Sequence, residues 1–477
     1  MKILLQQVAR LGDIYMSWPL VRALKRKYPE AEIHFLTRKR FASALVGLEA
    51  VDKIHYLPTQ DIFETLSKAN ATAAMSIVDQ FIADLRSEGF NWIINLTFSP
   101  VSSYVTSLLE YPGTKVSGYS RYADGSLRLA DEVSAYFYAQ VGLDGDNRIH
   151  LTDLFSGMTD VQYESEDYAP PVASYQNESL PQDYIVIHIG ASEAHKSLSP
   201  DQWAQFVARW NTRRADITPV LIGAPSEVSI GQKIVGSAGV KKCINLVGET
   251  QLIDLFAIIG KAHLLIGCDS APIHMATLTQ TPTYNISTGI VNFWETGPKA
   301  GLSFIERLDQ SAVYSPEISA EKCAALLDGQ LNPTLVVRAE GLCSYFDPKE
   351  ANHFAWDLIQ YIYMGARPPV VERMDLLKAF AKLAEANQAS VATLKDFKAA
   401  QAKQIGDLLD GADEIMQLIS RKYPELRPIV RWYLAEKVKI APGSLADIVA
   451  STLDVHLRFH QLLRPYLTED LNLKGAV

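Results

Sequence analysis

The sequence has no long hydrophobic segment. None of its apolar runs approaches the ~18 residues that a membrane-spanning helix requires. The first residues, Met1 to Gln7, become polar too early for a signal peptide. We therefore expect a protein that is made and stays in the cytoplasm, where peripheral contact with the inner membrane remains open to it.

Cysteine is also scarce. The four cysteines are far apart and form no Cys-x-x-Cys pair, the spacing that zinc sites and redox motifs use. They are predicted to be buried thiols in a reducing compartment. They are Cys243, Cys268, Cys323 and Cys343.

An excess of positive charge is absent too. The chain has 45 Lys and Arg against 54 Asp and Glu, a net charge of −9, so it repels polyanions as a whole and no nucleic-acid partner is expected. No Gly-x-Gly-x-x-Gly motif follows the first predicted strand, which disfavours an NAD-dependent enzyme. We expect no cofactor.

The 477 residues do contain strand–helix alternation, and it occurs twice. This alternation is typical of parallel sheets with right-handed crossovers. Beyond Arg367 strand signals vanish and roughly four helices with apolar spacing follow. The predicted fold class is α/β, with two Rossmann-like parallel-sheet lobes facing a cleft and a C-terminal all-helical extension. The predicted boundaries are 1–165 for the first lobe, 166–183 for a linker, 184–335 for the second lobe, 336–366 for a connecting segment and 367–477 for the extension.

Ligands of open parallel sheets bind at the carboxyl ends of the strands, so the strand-end loops are the candidate sites. The first such loop contains Asp13, just before a predicted helix. A carboxylate there can act as a general base on a substrate hydroxyl. The alternative is that Asp13 only caps the helix.

Two loops of the second lobe carry residue types that bind phosphate and ribose. Ser192 and Lys196 follow the strand that starts at Tyr184, so a hydroxyl, backbone amides and an ammonium can converge on one anion. A solvated lysine is the alternative. Glu227 follows the next strand and can accept hydrogen bonds from a ribose diol, although Ser226 suits a helix cap equally well.

The most distinctive loop extends from Asp269 to His274. Asp269 or Ser270 is predicted to cap the next helix, with Pro272 in its first turn. Backbone N–H groups and the positive end of the helix dipole would then face the cleft, as a diphosphate requires. The alternative is a capped helix without a ligand, in which His274 is a core histidine.

These motifs, in this order, resemble those of glycosyltransferase family 9, the heptosyltransferases that build the lipopolysaccharide inner core. The resemblance covers about two-thirds of the chain. The matching segments are Leu11 to Ile14 with the helix that ends near Pro29, Ile94 to Pro100, His188 to Ser192 with Lys196, Gly223 with Glu227, Asp269 to His274, and Trp294 with Gly297 and Pro298.

The resemblance implies a GT-B glycosyltransferase that works with inversion and without a metal. Its donor would be a nucleotide diphosphate sugar such as ADP-heptose, and its acceptor a cell-envelope glycolipid such as the lipopolysaccharide core. Asp13 would be the catalytic base, and Gly12, Arg38 and Asn95 would bind the acceptor. The implied donor-binding residues are Ser192, Lys196, Glu227, Thr250, Asp269, Ser270, Ala271, Pro272 and His274.

Two features depart from the family pattern. Ala271 stands where the family usually has glycine, and a methyl group at a close backbone approach can tighten or shift a diphosphate. The helical extension has no family counterpart. The alternative function is therefore a non-catalytic nucleotide-sugar-binding or scaffold relative that acts through its tail, and self-association through the tail is a further expectation.

Two clusters of basic and histidine residues remain. Residues 25–27 and 38–40 are basic, which fits either an anionic-lipid patch or a solvated surface. Arg38, directly after the second strand, is the better placed to reach the cleft. His456 and His460 have the i, i+4 spacing of metal ligands, but no third ligand accompanies them, so core histidines are expected.

Overall fold

The computed structural model describes residues 1–142, 144–177, 180–191, 193, 196–288, 291–300, 302–308, 314–331, 335–339, 342–346, 353–398 and 402–467, with the backbone alone for 288, 335–339 and 342–346. Contacts between residues divide the chain into two compact units. The first comprises Met1–Thr97, Tyr111–Lys115 and Ile149–Asp347. The second comprises Phe98–Glu110, Val116–Arg148 and Pro348–Val477.

Strands and helices alternate along the first two-thirds of the chain, and helices follow. The elements up to residue 159 are β1 Lys2–Gln6, α1 Leu11–Lys27, β2 Glu32–Arg38, β3 Lys53–Leu57, α2 Thr59–Ser67, α3 Ala71–Glu88, β4 Trp92–Asn95, α4 Pro100–Leu109, β5 Lys115–Arg121, β6 Leu127–Leu129, α5 Glu132–Gln140 and α6 Leu151–Thr159. Those up to residue 346 are β7 Tyr184–His188, α7 Pro200–Arg213, β8 Thr218–Ile222, α8 Val228–Val235, β9 Ile244–Asn245, α9 Leu252–Gly260, β10 Leu265–Cys268, α10 Ala271–Thr279, β11 Thr283–Thr288, α11 Phe293–Thr296, β12 Ser303–Leu308, α12 Pro316–Leu327, β13 Leu335–Ala339 and β14 Leu342–Phe346. The last are α13 Phe354–Met364, α14 Met374–Lys395, α15 Ala402–Lys422, α16 Arg427–Val438 and α17 Leu445–Leu463.

The N-terminal lobe of the first unit contains four parallel strands in the order β3-β2-β1-β4. In register, Ile3 of β1 pairs with Ile33 on one side and Trp92 on the other. β1 is buried from Ile3 onward, because a parallel sheet is covered on both faces. Helix α1 covers one face and buries Trp18 completely.

The second lobe of the same unit contains six parallel strands in the order β12-β11-β10-β7-β8-β9. Side chains alternate along β7, so Ile185 and Ile187 join the core with Trp203 and Trp210 of α7. His188, at the carboxyl end of β7, is on the opposite face. Both lobes therefore direct their strand ends, as the Rossmann-like pattern requires, to the loops that carry the predicted site residues.

The second unit is mainly helical. Helices α14, α16 and α17 enclose a core that includes Phe380, Tyr433 and Phe459. The same unit contains the antiparallel β5–β6 hairpin and α5. Gln140 of α5 donates from Nε2 to the carbonyl of Pro428 at 2.9 Å, which ties α5 to α16.

The predicted fold class is confirmed, and most strands begin where the apolar runs begin. The sequence pattern predicts helical stretches over 17–27 and 39–48. Helix α1 already starts at Leu11, because the Arg10 and Asp13 capping pair closes its first turn. The second stretch is a 3₁₀ helix over Lys39–Leu45. The contact-based division also differs from the predicted boundaries, since Phe98–Glu110 and Val116–Arg148 belong with the C-terminal helices.

The structure describes the side chains of three cysteines, so their predicted burial can be compared with the observed burial. Cys268 and Cys323 are buried and Cys243 is partly buried, whereas the side chain of Cys343 lies outside the described residues. Across the described part of the chain, no helix combines the length and apolar character needed to cross a bilayer.

Candidate functional site

Asp13 lies in the first turn of α1. Arg10 is the N-cap residue, and its amide donates to Oδ2 of Asp13 at 3.1 Å. The alternative of Asp13 as the N-cap is therefore wrong in position, although its carboxylate does contribute to the cap. Burial raises the pKa of Asp13, while the Arg10 amide and charge oppose the rise. A carboxylate with a raised pKa is a better proton acceptor near neutral pH.

The start of α1 packs against the start of α10. A Cβ atom on Gly12 would lie 2.8 Å from Cδ2 of His274 and 3.9 Å from Cα of Ala271. Position 12 therefore requires glycine, because any side chain would separate the two helices. The contact brings the turn that carries Asp13 next to the turn that precedes α10.

Ser270 is the N-cap residue of α10, but its hydroxyl makes no capping hydrogen bond within the described residues. Its Oγ lies 2.9 Å from the carbonyl oxygen of Cys268 and 2.9 Å from Nδ1 of His188. Burial lowers the pKa of His188 to about 4, so the ring is neutral at pH 7. We assign the Nδ1 proton to the bond with Ser270, whose own proton then goes to Cys268.

This arrangement corrects the predicted serine cap. The Ser270 hydroxyl is directed to the strand ends and away from the amides of Ser270 and Ala271, which begin α10. Pro272 follows as the second helical residue and brings no N–H group. The start of α10 is thus held in shape by His188 while its amides keep the anion-binding geometry of a helix N-terminus.

Asp269 is positioned by Asn285 of β11, which donates from Nδ2 to Oδ1 of Asp269 at 2.9 Å. Asn285 and Ser287 are fully buried. Oδ1 of Asn285 and Oγ of Ser287 have no hydrogen-bond partner among the described residues. Buried polar atoms of this kind are satisfied by water or by a ligand, so the carboxyl end of β11 is chemically suited to a polyhydroxylated group.

Glu227 folds back over two glycines. Its Oε2 accepts a hydrogen bond from the amide of Ala224 at 2.7 Å. A Cβ atom on Gly190 would lie 1.8 Å from Oε1, and one on Gly223 would lie 2.6 Å from Oε2. Both positions must therefore be glycine for Glu227 to lie between the ends of β7 and β8, the position predicted for a ribose contact.

Lys196 is part of an ionic chain that joins the two lobes of the first unit. Its Nζ lies 3.6 Å from Glu193, and Glu193 in turn pairs with Arg10 at 2.8 Å. The Lys196 side chain is 15% exposed. Ser192 lies outside the described residues, so its predicted phosphate contact stays a prediction.

The predicted acceptor residues lie at strand ends of the first lobe. Arg38 ends β2, and its Nε is buried without a partner in the described part of the chain; burial and the nearby Arg40 lower the pKa of Arg38. Asn95 ends β4, is fully buried, and accepts from the amide of Thr97 at 3.1 Å. Asn95 therefore shapes its loop, and its acceptor contact stays a prediction.

Three of the residues predicted to bind the sugar donor differ in how far they are buried. Thr250 is partly buried in the loop before α9. Pro272 and His274 are buried in α10, and burial lowers the pKa of His274 to about 4. His274 therefore contacts α1 as a neutral ring, which fits its predicted role in organising the loop better than a direct charge on a ligand.

Two contacts beside the site were not predicted from the sequence. His150 lies with Nε2 3.0 Å from the carbonyl oxygen of Gly297. Lys299 forms an ion pair with Asp153 in which both side chains are only 5% exposed. They connect α6 to the segment after α11, so they fix the position of the second lobe's last loops relative to α1 and α6.

One group of described residues has the composition of a metal site: His34, His55 and Glu88, whose ligand atoms lie within 4.8 Å of one another. The two imidazoles bond each other at 2.8 Å. Both carboxylate oxygens of Glu88 pair with ammonium groups, those of Lys2 and Lys53. The cluster is therefore closed by its own ion pairs.

His456, one of the two histidines with metal-ligand spacing, is bonded at both ring nitrogens. Nδ1 lies 2.7 Å from Oδ1 of Asn387, and Nε2 lies 3.2 Å from the hydroxyl of Tyr433. It is a core histidine.

The comparisons with known proteins agree with this geometry. Residues 80–286 match the profile of glycosyltransferase family 9 (heptosyltransferase). Lipopolysaccharide heptosyltransferase 3 of Escherichia coli is 22% identical over 340 residues, which cover 66% of this chain and 95% of that protein. The protein of the same name from strain K12 is 20% identical over 330 residues and is covered to 93%.

Among solved structures, a family 9 glycosyl transferase from Veillonella parvula has the same fold. Its TM-score is 0.50 at 17% identity, with 69% of this chain and 97% of that chain covered. The sequence motifs, the paired lobes and these matches agree. The chain is a glycosyltransferase similar to the heptosyltransferases of glycosyltransferase family 9.

Proposed function

We propose that the protein transfers a heptose-like sugar, with inversion, from a nucleotide diphosphate sugar to a cell-envelope glycolipid of the lipopolysaccharide core. One observation carries the proposal: Gly12 of α1 lies against Ala271 and His274 of α10. A general base and an anion-binding helix start thereby share one site. The related heptosyltransferases named above supply the acceptor class.

The reaction is a single displacement. Asp13 takes the proton from the acceptor hydroxyl while that oxygen attacks the anomeric carbon from the face opposite the diphosphate. The bond between the anomeric carbon and the phosphate oxygen breaks, and the nucleoside diphosphate leaves with the electron pair. The raised pKa of Asp13 suits this role, because the carboxylate then holds the transferred proton more firmly.

The diphosphate is stabilised by groups of the second lobe. Lys196 supplies a cation, and the amides of Ser270 and Ala271 supply donors at the positive end of α10. These groups need no metal to balance the developing charge. Glu227 takes the ribose hydroxyls, Thr250 lies beside the base, and Asp269, oriented by Asn285, takes a hydroxyl of the donor sugar.

The acceptor enters over the first lobe. Arg38, whose buried Nε has no partner among the described residues, is the cation that an anionic glycolipid would meet, and Asn95 shapes the adjoining loop. We place the enzyme in the cytoplasm, working at the inner face of the membrane where such acceptors are assembled.

The test is Asp13→Asn, which keeps the shape of the side chain and removes its basicity. We expect kcat to fall by about 10²-fold or more, the range of general-base contributions, with donor binding retained in calorimetry. Transfer within about tenfold of wild type would exclude Asp13 as the base. The assay uses core-truncated lipopolysaccharide as the acceptor.

Asp254→Asn is the matched control. Asp254 accepts a hydrogen bond from the N-cap amide of Gln251 at 2.9 Å, the same capping geometry as that of Asp13. Its loss should lower stability by about 1 kcal/mol and leave kcat unchanged. An equal fall of kcat in both variants would show that the cap, and not the base, matters.

Donor identity is tested with a panel of ADP-, UDP- and GDP-sugars in thermal-shift measurements. A ligand that binds only the folded protein raises its apparent stability, and ADP-heptose is expected to give the largest rise. Binding of a nucleotide sugar without turnover would instead favour the scaffold alternative. Ala271→Gly then decides whether the methyl group at the helix start blocks the reaction.

A further inference from the structure

Helix α15 presents three large apolar side chains to solvent. Leu408, Ile415 and Leu418, the α15 stripe, are 56%, 50% and 59% exposed. Their spacing of seven and three residues is that of the a and d positions of a coiled coil, so they lie on one side of the helix. The helix already has a separate buried side, with Met416 fully buried in the helical core.

The neighbouring side of α15 packs within the helical unit. Ile405, Ala412 and Met416 are buried, and α15 packs on α14 and α16. A surface helix needs only one such side, and the outer side is normally polar. A second apolar stripe on the same helix indicates a surface that another helix covers.

Charges beside the α15 stripe are divided along the helix. Asp407, Asp410 and Glu414 are exposed in the first two-thirds, which carries one exposed base, Lys403, so this part is acidic on balance. Arg421 and Lys422 are exposed in the last turn. An antiparallel copy of α15 would set the acidic part of each helix opposite the basic end of the other. It would also oppose the two helix dipoles.

Leu408 of one copy would then face Leu418 of the other copy across the two-fold axis. Gly411 lies between these two positions and allows the two helices to approach closely. A Cβ at Gly411 would meet no described atom within 4 Å.

We propose that two copies of this chain associate through the α15 stripes, packed antiparallel about a two-fold axis. The partner is a second copy because the charge pattern complements itself when reversed, as an isologous interface requires. An anionic membrane is a poor match, since the acids that flank the stripe would face lipid phosphates. The proposal is independent of the transferase reaction.

The test is sedimentation equilibrium of the full chain over a range of concentrations. We expect a reversible monomer–dimer equilibrium for the wild type. In Leu418→Glu the dissociation constant should rise at least about tenfold, a change of ~1.4 kcal/mol. Circular dichroism and the melting temperature of the monomer should not change, because Leu418 is exposed in the monomer.

Met374→Glu is the matched control, since Met374 is 66% exposed and belongs to α14, not to the α15 stripe, and the dissociation constant should stay at the wild-type value. A wild type that is monomeric at all concentrations would overturn the proposal. So would a dimer that Leu418→Glu leaves intact.

Charge reversal tests the antiparallel orientation. Asp407→Lys with Asp410→Lys should weaken the dimer, and Arg421→Glu with Lys422→Glu should weaken it too. The four changes together should restore it, because each acidic part again faces a basic end. Additive weakening in the fourfold variant would exclude the antiparallel arrangement.

Discussion

Gly12 and His274 are in such close contact that a methyl group on Gly12 would lie 2.8 Å from Cδ2 of the imidazole. The two residues belong to different lobes and to the first turns of α1 and α10. The contact fixes the distance between Asp13, the proposed base, and the turn before α10, the proposed diphosphate site. It is therefore the point at which a small change in packing should affect the reaction most directly.

Gly12→Ala is expected to reduce transfer more than it reduces stability. The added methyl group must displace the ring of His274, and overpacking of this kind costs about 1–3 kcal/mol. Because the displacement separates base and leaving group, kcat should fall by about 10²-fold. The measurements are kcat, KM and the free energy of unfolding.

Gly406→Ala serves as the comparison, since a Cβ there meets no described atom within 4 Å. In the second turn of helix α15 the alanine should stabilise the protein by about 0.5–1 kcal/mol and leave kcat unchanged. If Gly12→Ala retained wild-type kcat, the contact would be a packing detail without catalytic consequence.

Apolar runs and strand-end positions were sufficient to predict the fold class and the place of Asp13, Glu227 and Asp269. Each depends on residues close in sequence, where strand, loop and helix signals overlap. The bond between Ser270 and His188 spans 82 residues and that between Lys299 and Asp153 spans 146. Local pattern carries no information on such pairs.

The same limit explains the wrong cap. Ser270 has the residue type and position of an N-cap, so the sequence predicts that its side chain caps α10. Only the fold brings the ring of His188 within hydrogen-bond distance and turns the hydroxyl away. The association of Val116–Arg148 with the C-terminal helices likewise depends on contacts distant in sequence.

Ser270→Ala should weaken donor binding in addition to lowering stability. It removes the bond that holds the start of α10, and a single neutral hydrogen bond contributes about 0.5–1.5 kcal/mol. The donor dissociation constant should therefore rise by about 2- to 13-fold in calorimetric titration.

Ser199→Ala is the control, because Ser199 does cap its helix and its loss should lower stability by about 1 kcal/mol without affecting donor affinity. Identical behaviour of the two variants would contradict the role assigned to Ser270.

The pH dependence of transfer should report Asp13. Burial raises its pKa above the model-compound value of 3.8, so the acid limb of kcat/KM should lie above that value, with activity lost as pH falls through it. The stability effect has the opposite sign: a raised pKa in the folded state means that ionised Asp13 costs stability as pH rises. Asp13→Asn should therefore be destabilised less at pH 7 than Asp254→Asn, while it loses the acid limb. A wild-type limb at or below the ordinary aspartate value would disagree with this assignment.

Removal of one member of the buried pair Lys299–Asp153 should be costly, and removal of both should cost less. With each side chain only 5% exposed, Lys299→Met leaves an unpaired buried carboxylate and is expected to destabilise the protein by about 3–5 kcal/mol. The double variant Lys299→Met with Asp153→Leu removes both charges and should recover most of that loss in urea unfolding.

Because the pair connects α6 to the loop after α11, the double variant should also show a raised KM for donor if the ion pair sets the position of that loop. A double variant as unstable as the single one would contradict the predicted cost of the unpaired buried charge. An unchanged KM would show that the ion pair does not set the position of the loop.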